Sequence, residues 1–133
     1  MANLTPTIKI THAKSDGGIQ DNLSIQVTDS LSLKAPSRGP GNVICTTAGG
    51  STIIVPASTD NVYLYIRHTG TTDGSSSGTA QVDVENTDNE AFARLKAGEF
   101  LFMPFSHAGA SVGVQLQSTS GNIMMEYAFW TAS

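Results

Sequence analysis

Charge is what this chain has least of. Seven basic and eleven acidic residues make up 14 % of 133 positions, for a net charge of −4, where ordinary soluble domains carry about 25 % charged residues. Nucleic-acid binders draw much of their affinity from Lys and Arg neutralising phosphates, and no cluster of either occurs, which argues against a nucleic-acid partner. The same shortage argues against an anionic membrane surface. The single cysteine, Cys45, cannot close an intrachain disulfide and has no second thiol with which to build a zinc knuckle. No run of about 18 apolar residues is present, so no helical span of a bilayer is expected. The first residues, Met1 to Pro6, lack the basic and apolar regions of a secretory signal, which predicts synthesis in a cytoplasm. No stretch keeps an apolar period of 3.6 residues, which excludes a helical bundle, and no internal repeat points to a propeller or solenoid.

What fills the space is serine and threonine, 30 residues together, with 13 glycines and a hydrophobic fraction of 39 %. This composition fits one β-rich domain with an uncharged polar surface. Period-2 alternation recurs from residue 8 nearly to the end. Leu23 to Ala35 puts apolar residues at most odd positions and polar residues at the even ones, which predicts one long half-buried strand or two joined near Asp29-Ser30. Ala35 to Gly41, with Pro36 and Pro40, is expected to break any ladder. Asn42–Thr47 and Thr52–Val55 flank Gly49-Gly50 as an expected hairpin. Further strands are expected at 62–66, 82–85, 90–95, 99–103, 112–117 and 122–131, with Gly70 to Gly78 the most mobile loop by composition. Eight to ten short strands with frequent turns predict an all-β fold, a jelly-roll-like antiparallel β-sandwich over 23–133, preceded by an extended N-terminal arm over 1–22. An immunoglobulin-like sandwich is the nearest rival, but its Cys…Trp…Cys hallmark is missing.

Catalytic and metal chemistry find little support. His12, His68 and His107 stand far apart with no local nucleophile or zinc signature, and read as surface or interface residues. Asp83, Glu85, Asp88 and Glu90 place four carboxylates in eight residues, dense enough to raise calcium, but the spacing is not that of an EF-hand loop. A charged hairpin with its tip at Asn86 to Asn89 is the preferred reading. Asn3-Leu4-Thr5 and Asn22-Leu23-Ser24 match the glycosylation sequon by chance in a Ser/Thr-rich chain without a secretory signal. The reading is a non-enzyme, with no catalytic residue, no cofactor and no metal.

The segments at 62–66, 100–103 and 123–130 are apolar on both faces. A sandwich strand ordinarily keeps one wet face, and no helix is available to add a third layer, so a second subunit is expected to cover the excess. Tyr63, Tyr65, Leu101, Met103, Phe105, Met124 and Trp130 are the candidate oligomer or lattice contacts. The arm is expected either to reach a neighbour or, equally, to be a frayed terminus. Tyr63, Tyr65, Phe105, His107 and Trp130 also suggest a sugar-stacking face, since amphipathic rings cover pyranose surfaces.

A longer pattern runs from Thr52 to Thr131: Thr52-Ile53-Ile54-Val55-Pro56, Val62-Tyr63-Leu64-Tyr65-Ile66-Arg67-His68-Thr69-Gly70, Ala80-Gln81-Val82-Asp83-Val84, Leu95-Lys96-Ala97-Gly98-Glu99-Phe100-Leu101-Phe102-Met103-Pro104 and Met125-Glu126-Tyr127-Ala128. It resembles small all-β virion proteins of tailed bacteriophages, the capsid decoration or cement type in particular, with His68 where that pattern has Asn. The resemblance implies a structural protein of the capsid surface, a homotrimer seated over junctions between major capsid proteins, which bridges them and stabilises the head. The alternative is a carbohydrate- or receptor-binding module of a phage tail appendage.

Overall fold

The computed structural model describes residues 2–12, 23–34, 38–106 and 111–133, with only the backbone of Leu23 and Arg38. The described residues hold twelve strands and no helix: β1 (Ala2–Leu4), β2 (Thr7–His12), β3 (Leu23–Thr28), β4 (Leu31–Leu33), β5 (Arg38–Cys45), β6 (Thr52–Ser58), β7 (Val62–His68), β8 (Val82–Asn86), β9 (Ala91–Leu95), β10 (Phe100–Phe105), β11 (Val112–Ser118) and β12 (Ile123–Thr131).

Alternation along these strands assigns each residue to a face. In β7, Val62, Leu64, Ile66 and His68 are buried while the residues between them are not. Two four-stranded antiparallel sheets result. The first has the order β10-β7-β12-β5 and the second β6-β11-β8-β9. Their inner faces share one core. Leu64, Ile66, Ile123 and Met125 from the first sheet meet Val82, Val84, Val114 and Leu116 from the second, and all eight are essentially inaccessible. Each such side chain contributes roughly 1.5–3 kcal/mol on burial, and the molecule is an all-β antiparallel sandwich. The four-plus-four division differs from the four-plus-three of constant-type immunoglobulin domains. The strands β5 and β12, first and last of these eight, lie side by side.

Two small ribbons complete the chain, β1 with β4 and β2 with β3. The β2–β3 ladder joins residues 7–12 to 23–28, across the boundary expected between arm and domain. Leu33 in β4 is buried and bridges to Ala132, with the Lys34 amide donating to the Thr131 carbonyl at 3.0 Å. The described segment 23–34 is therefore two strands, broken at Asp29-Ser30, where the Ser30 amide donates to the Asp29 carboxylate at 2.7 Å. Its apolar positions Ile25 and Val27 are exposed rather than half-buried.

Three other expectations are corrected. The proline- and glycine-rich stretch does not end the ladder: β5 runs from Arg38 through a cis Gly39–Pro40 bond, with the register shifting opposite Tyr127 and Phe129. A bulge on an edge strand accommodates a proline because no ladder hydrogen bond is demanded of it there. Gly39 is required at this point, since a Cβ would sit 2.7 Å from the Tyr127 carbonyl oxygen and φ is +104°. Next, Gly49-Gly50 joins β5 to β6 without pairing them, because the two strands belong to different sheets and the turn crosses the end of the sandwich. Finally, the loop from Gly70 to Gly78 is well tied. The Asp73 carboxylate accepts from the amides and hydroxyls of both Ser75 and Ser76, Thr71 bridges to Ser77, and Gly78 is buried against Ile123. Glycine content reports backbone freedom in the unfolded chain, whereas here side-chain acceptors hold the turn.

Candidate interaction surface

The outer faces of the two sheets differ in chemistry. On the second sheet, Asp83 and Arg94 stand opposite each other in the ladder and form a forked ion pair, with Arg94 Nη2 at 2.9 Å from Oδ2. Beside them, Gln115 Nε2 donates to Glu85 Oε2 at 3.0 Å and to Asn89 Oδ1 at 2.8 Å, and Gln117 Nε2 donates to the Thr47 carbonyl. Ile53 is the large apolar exception on this face.

The first sheet presents the opposite character. Register places Phe100, Phe102 and Pro104 of β10 beside Arg67, Tyr65 and Tyr63 of β7, which in turn stand beside Glu126, Ala128 and Trp130 of β12. Met124 and Ile44 form the next cross-strand pair. Phe100 is 65 % exposed and Ile44 is also exposed. The polar groups in this field are few. The Tyr65 hydroxyl donates to Glu126 Oε1 at 2.7 Å; burial first, and then the neighbouring carboxylate, raise the phenol above its ordinary pKa. A groove bounded by Tyr65, Arg67, Gly98 and Phe100 lies at this end of the sheet.

The seven residues expected to form a contact surface divide between two faces. Tyr63, Tyr65, Met124 and Trp130 are on the outside, with Met124 touched by the 69–78 loop near Gly74. Leu101, Met103 and Phe105 turn inward, packed against the core, and line a groove of about 550 Å³ with Phe92 and Val112. The Phe92 and Phe105 rings stack there, with centroids 5.8 Å apart. The reason is register: Leu101, Met103 and Phe105 stand opposite Ile66, Leu64 and Val62, all core residues. Phe100, Phe102 and Pro104 are the outward-facing residues of β10, which sequence reasoning missed.

The remaining candidates are occupied elsewhere. His68 is fully buried; its Nδ1 accepts the Gly70 amide at 3.0 Å, so Nε2 carries the proton that it shares with the Ala80 carbonyl at 2.7 Å. His12 is exposed at the end of β2, and His107 lies outside the described residues. The four carboxylates are separated: Asp83 is held by Arg94, Glu85 by Gln115, and Glu90 by the Asn86 side chain at 2.9 Å. Asn86 to Asn89 is the hairpin tip, with Asn89 at φ +66°. Among the described residues, no three His, Cys, Asp or Glu side chains converge as a metal site. Cys45 is buried, and desolvation pushes its thiol up to about 11, which makes it a core residue rather than a nucleophile.

No family model matches the chain, and neither does any curated protein or solved structure.

Proposed function

We propose that this chain is a non-catalytic structural protein of a tailed-phage virion, a capsid decoration protein that stabilises the head by bridging major capsid proteins. The observation that carries this reading is the aromatic outer face of the first sheet, set against a hydrogen-bonded polar face on the second. Such a face is the means of a protein that works by burial, since each Å² of apolar surface covered contributes roughly 25 cal/mol and many copies act together. The strand orders β10-β7-β12-β5 and β6-β11-β8-β9 support a jelly roll as the finer description of the sandwich. The working assembly is a homotrimer on the capsid surface. Co-sedimentation of the purified chain with heads of the virus encoding it tests the proposal. Binding that is lost in Phe100→Ser and retained in an Asp88→Ser control supports it; absence of the native chain from the head fraction overturns it.

A second reading, a carbohydrate-binding module of a tail appendage, is favoured by the groove between the Tyr65 and Phe100 rings with Arg67 beside them. Rings of this kind stack on sugars, and a guanidinium supplies donors to their oxygens. A glycan array with no bound member discards this reading.

A further inference from the structure

Where the base of the β2–β3 ribbon meets the first sheet, the two bound a cavity of about 200 Å³. The rings of Tyr63 and Phe102 and the aliphatic residues Ile8, Val27 and Leu31 line it, and Asp29 is the one charged residue of the lining. Ile8 and Val27 are 41 % and 58 % exposed, so the cavity opens to solvent beside the ribbon. Asp29 is fixed at the junction by its amide, which donates to the Pro6 carbonyl at 3.2 Å. Its Oδ1 accepts the Ser30 amide at 2.7 Å, while Oδ2 accepts nothing among the described residues. No Lys, Arg or His among those residues forms an ion pair with it. Lys34 and Arg94 are engaged with Asp60 and Asp83, and Lys9 stands opposite Gln26 on the ribbon's other face. Arg67 is four residues along β7 from Tyr63, about 13 Å away, with Glu126 beside it in the ladder.

We propose that this cavity receives a lysine side chain presented by a partner protein, its methylene stem against the apolar walls and its ammonium shared between the rings and the Asp29 carboxylate. Charge and shape select the occupant. Aromatic walls with one uncompensated carboxylate complement a single positive charge carried on an aliphatic stem. An ammonium is a point charge that one open acceptor serves, whereas the fork of a guanidinium is matched by two. With Oδ1 engaged by Ser30, the site suits lysine better than arginine. Size agrees, since the cavity is smaller than the roughly 300–1,000 Å³ of sites for drug-sized ligands and holds one side chain rather than a sugar or a cofactor. The net charge of −4 favours a basic partner surface. The inference rests on the decoration reading for the identity of the partner, and deepens it by naming the group of the major capsid protein that enters this end of the aromatic face.

NMR titration of the full chain with Nα-acetyl-lysine methylamide tests it, followed at the Tyr63 and Phe102 ring signals, with the Nε-acetylated compound as the neutral counterpart. Saturable shifts are expected with the charged probe. Binding at least about tenfold weaker is expected for the neutral probe, and for the charged probe on an Asp29→Asn chain, which keeps an acceptor for Ser30. Phe102→Leu, which keeps an apolar wall without a ring, is expected to weaken binding about two- to fivefold. Circular dichroism confirms that each variant is folded. Absence of saturable shifts, equal binding of the two probes, or an Asp29→Asn chain that binds as the native chain does overturns the site. Co-sedimentation with heads then separates the site from the reading it rests on. An Asp29→Asn chain that attaches less well than the native chain supports a capsid lysine, and one that attaches equally overturns it. A native chain that takes the probe but is absent from the head fraction overturns the decoration reading alone.

Discussion

At the scale of single residues, the loop after β7 is held by two side chains with opposite surroundings. His68 is inside the core and fastens the loop at both ring nitrogens, to Gly70 and Ala80. Replacing it with Phe keeps an aromatic ring but leaves the half-buried Gly70 amide and Ala80 carbonyl without their imidazole partner. At roughly 1–3 kcal/mol for each orphaned group, His68→Phe is expected to lower stability by about 2–5 kcal/mol, seen as a lower urea midpoint with an unchanged slope. Asp73 is at the surface, where amide donation from Ser76 and Ser75 pulls its carboxyl from 3.8 down to about 2. Because the folded value is depressed, its support of the loop is complete above about pH 4 and is lost as pH falls through about 2. Amide shifts of Ser75 and Ser76 followed by NMR should titrate with a midpoint near 2; a midpoint near 4 would show that these hydrogen bonds do not form.

The elements themselves depend on register, and register is where the sequence is least legible. Strand β7 is apolar on both faces over 62–66, so its sequence does not choose between Val62, Leu64 and Ile66 and the tyrosines between them, and His68, expected at the surface or an interface, is fully buried. Strand β10, Phe100-Leu101-Phe102-Met103-Pro104-Phe105, is apolar at every position, so periodicity does not say which parity faces the core; only its ladder with β7 decides that Leu101, Met103 and Phe105 go inward. In β2 and β3 the alternation is clear, yet it indicates a buried face where the chain itself supplies little cover. The chemistry of the aromatic surface was thus visible, and half of its membership was not. Gly113 illustrates a constraint that sequence conceals altogether. It occupies the irregular step between β11 and β6, where a Cβ would fall 2.0 Å from the Val55 carbonyl oxygen, far closer than two non-bonded atoms can approach. Gly113→Ala therefore has to push the two strands apart, and a loss of about 3 kcal/mol or more in urea unfolding is expected. A variant of native stability would mean that the strands are not this close.

For the whole molecule, the sandwich is closed by strands distant in sequence, β12 lying between β5 and β7. The described parts of residues 1–22 pair with β3 and β4 and contribute nothing to the two main sheets. Deleting residues 1–22 is accordingly expected to leave a folded sandwich by circular dichroism and to weaken attachment to capsids; truncated protein that decorates as well as the full chain would remove the arm from the mechanism. The outer aromatic face has an optical consequence as well. The chain has one tryptophan, Trp130, and it stands beside Tyr63 on that face, not in the core. Its emission therefore reports the environment outside the first sheet. Melting of the core moves an indole that is already partly in water rather little, whereas any surface that settles over Tyr63 and Trp130 dries the ring and shifts its emission to the blue. In this molecule intrinsic fluorescence is a gauge of contact rather than of unfolding.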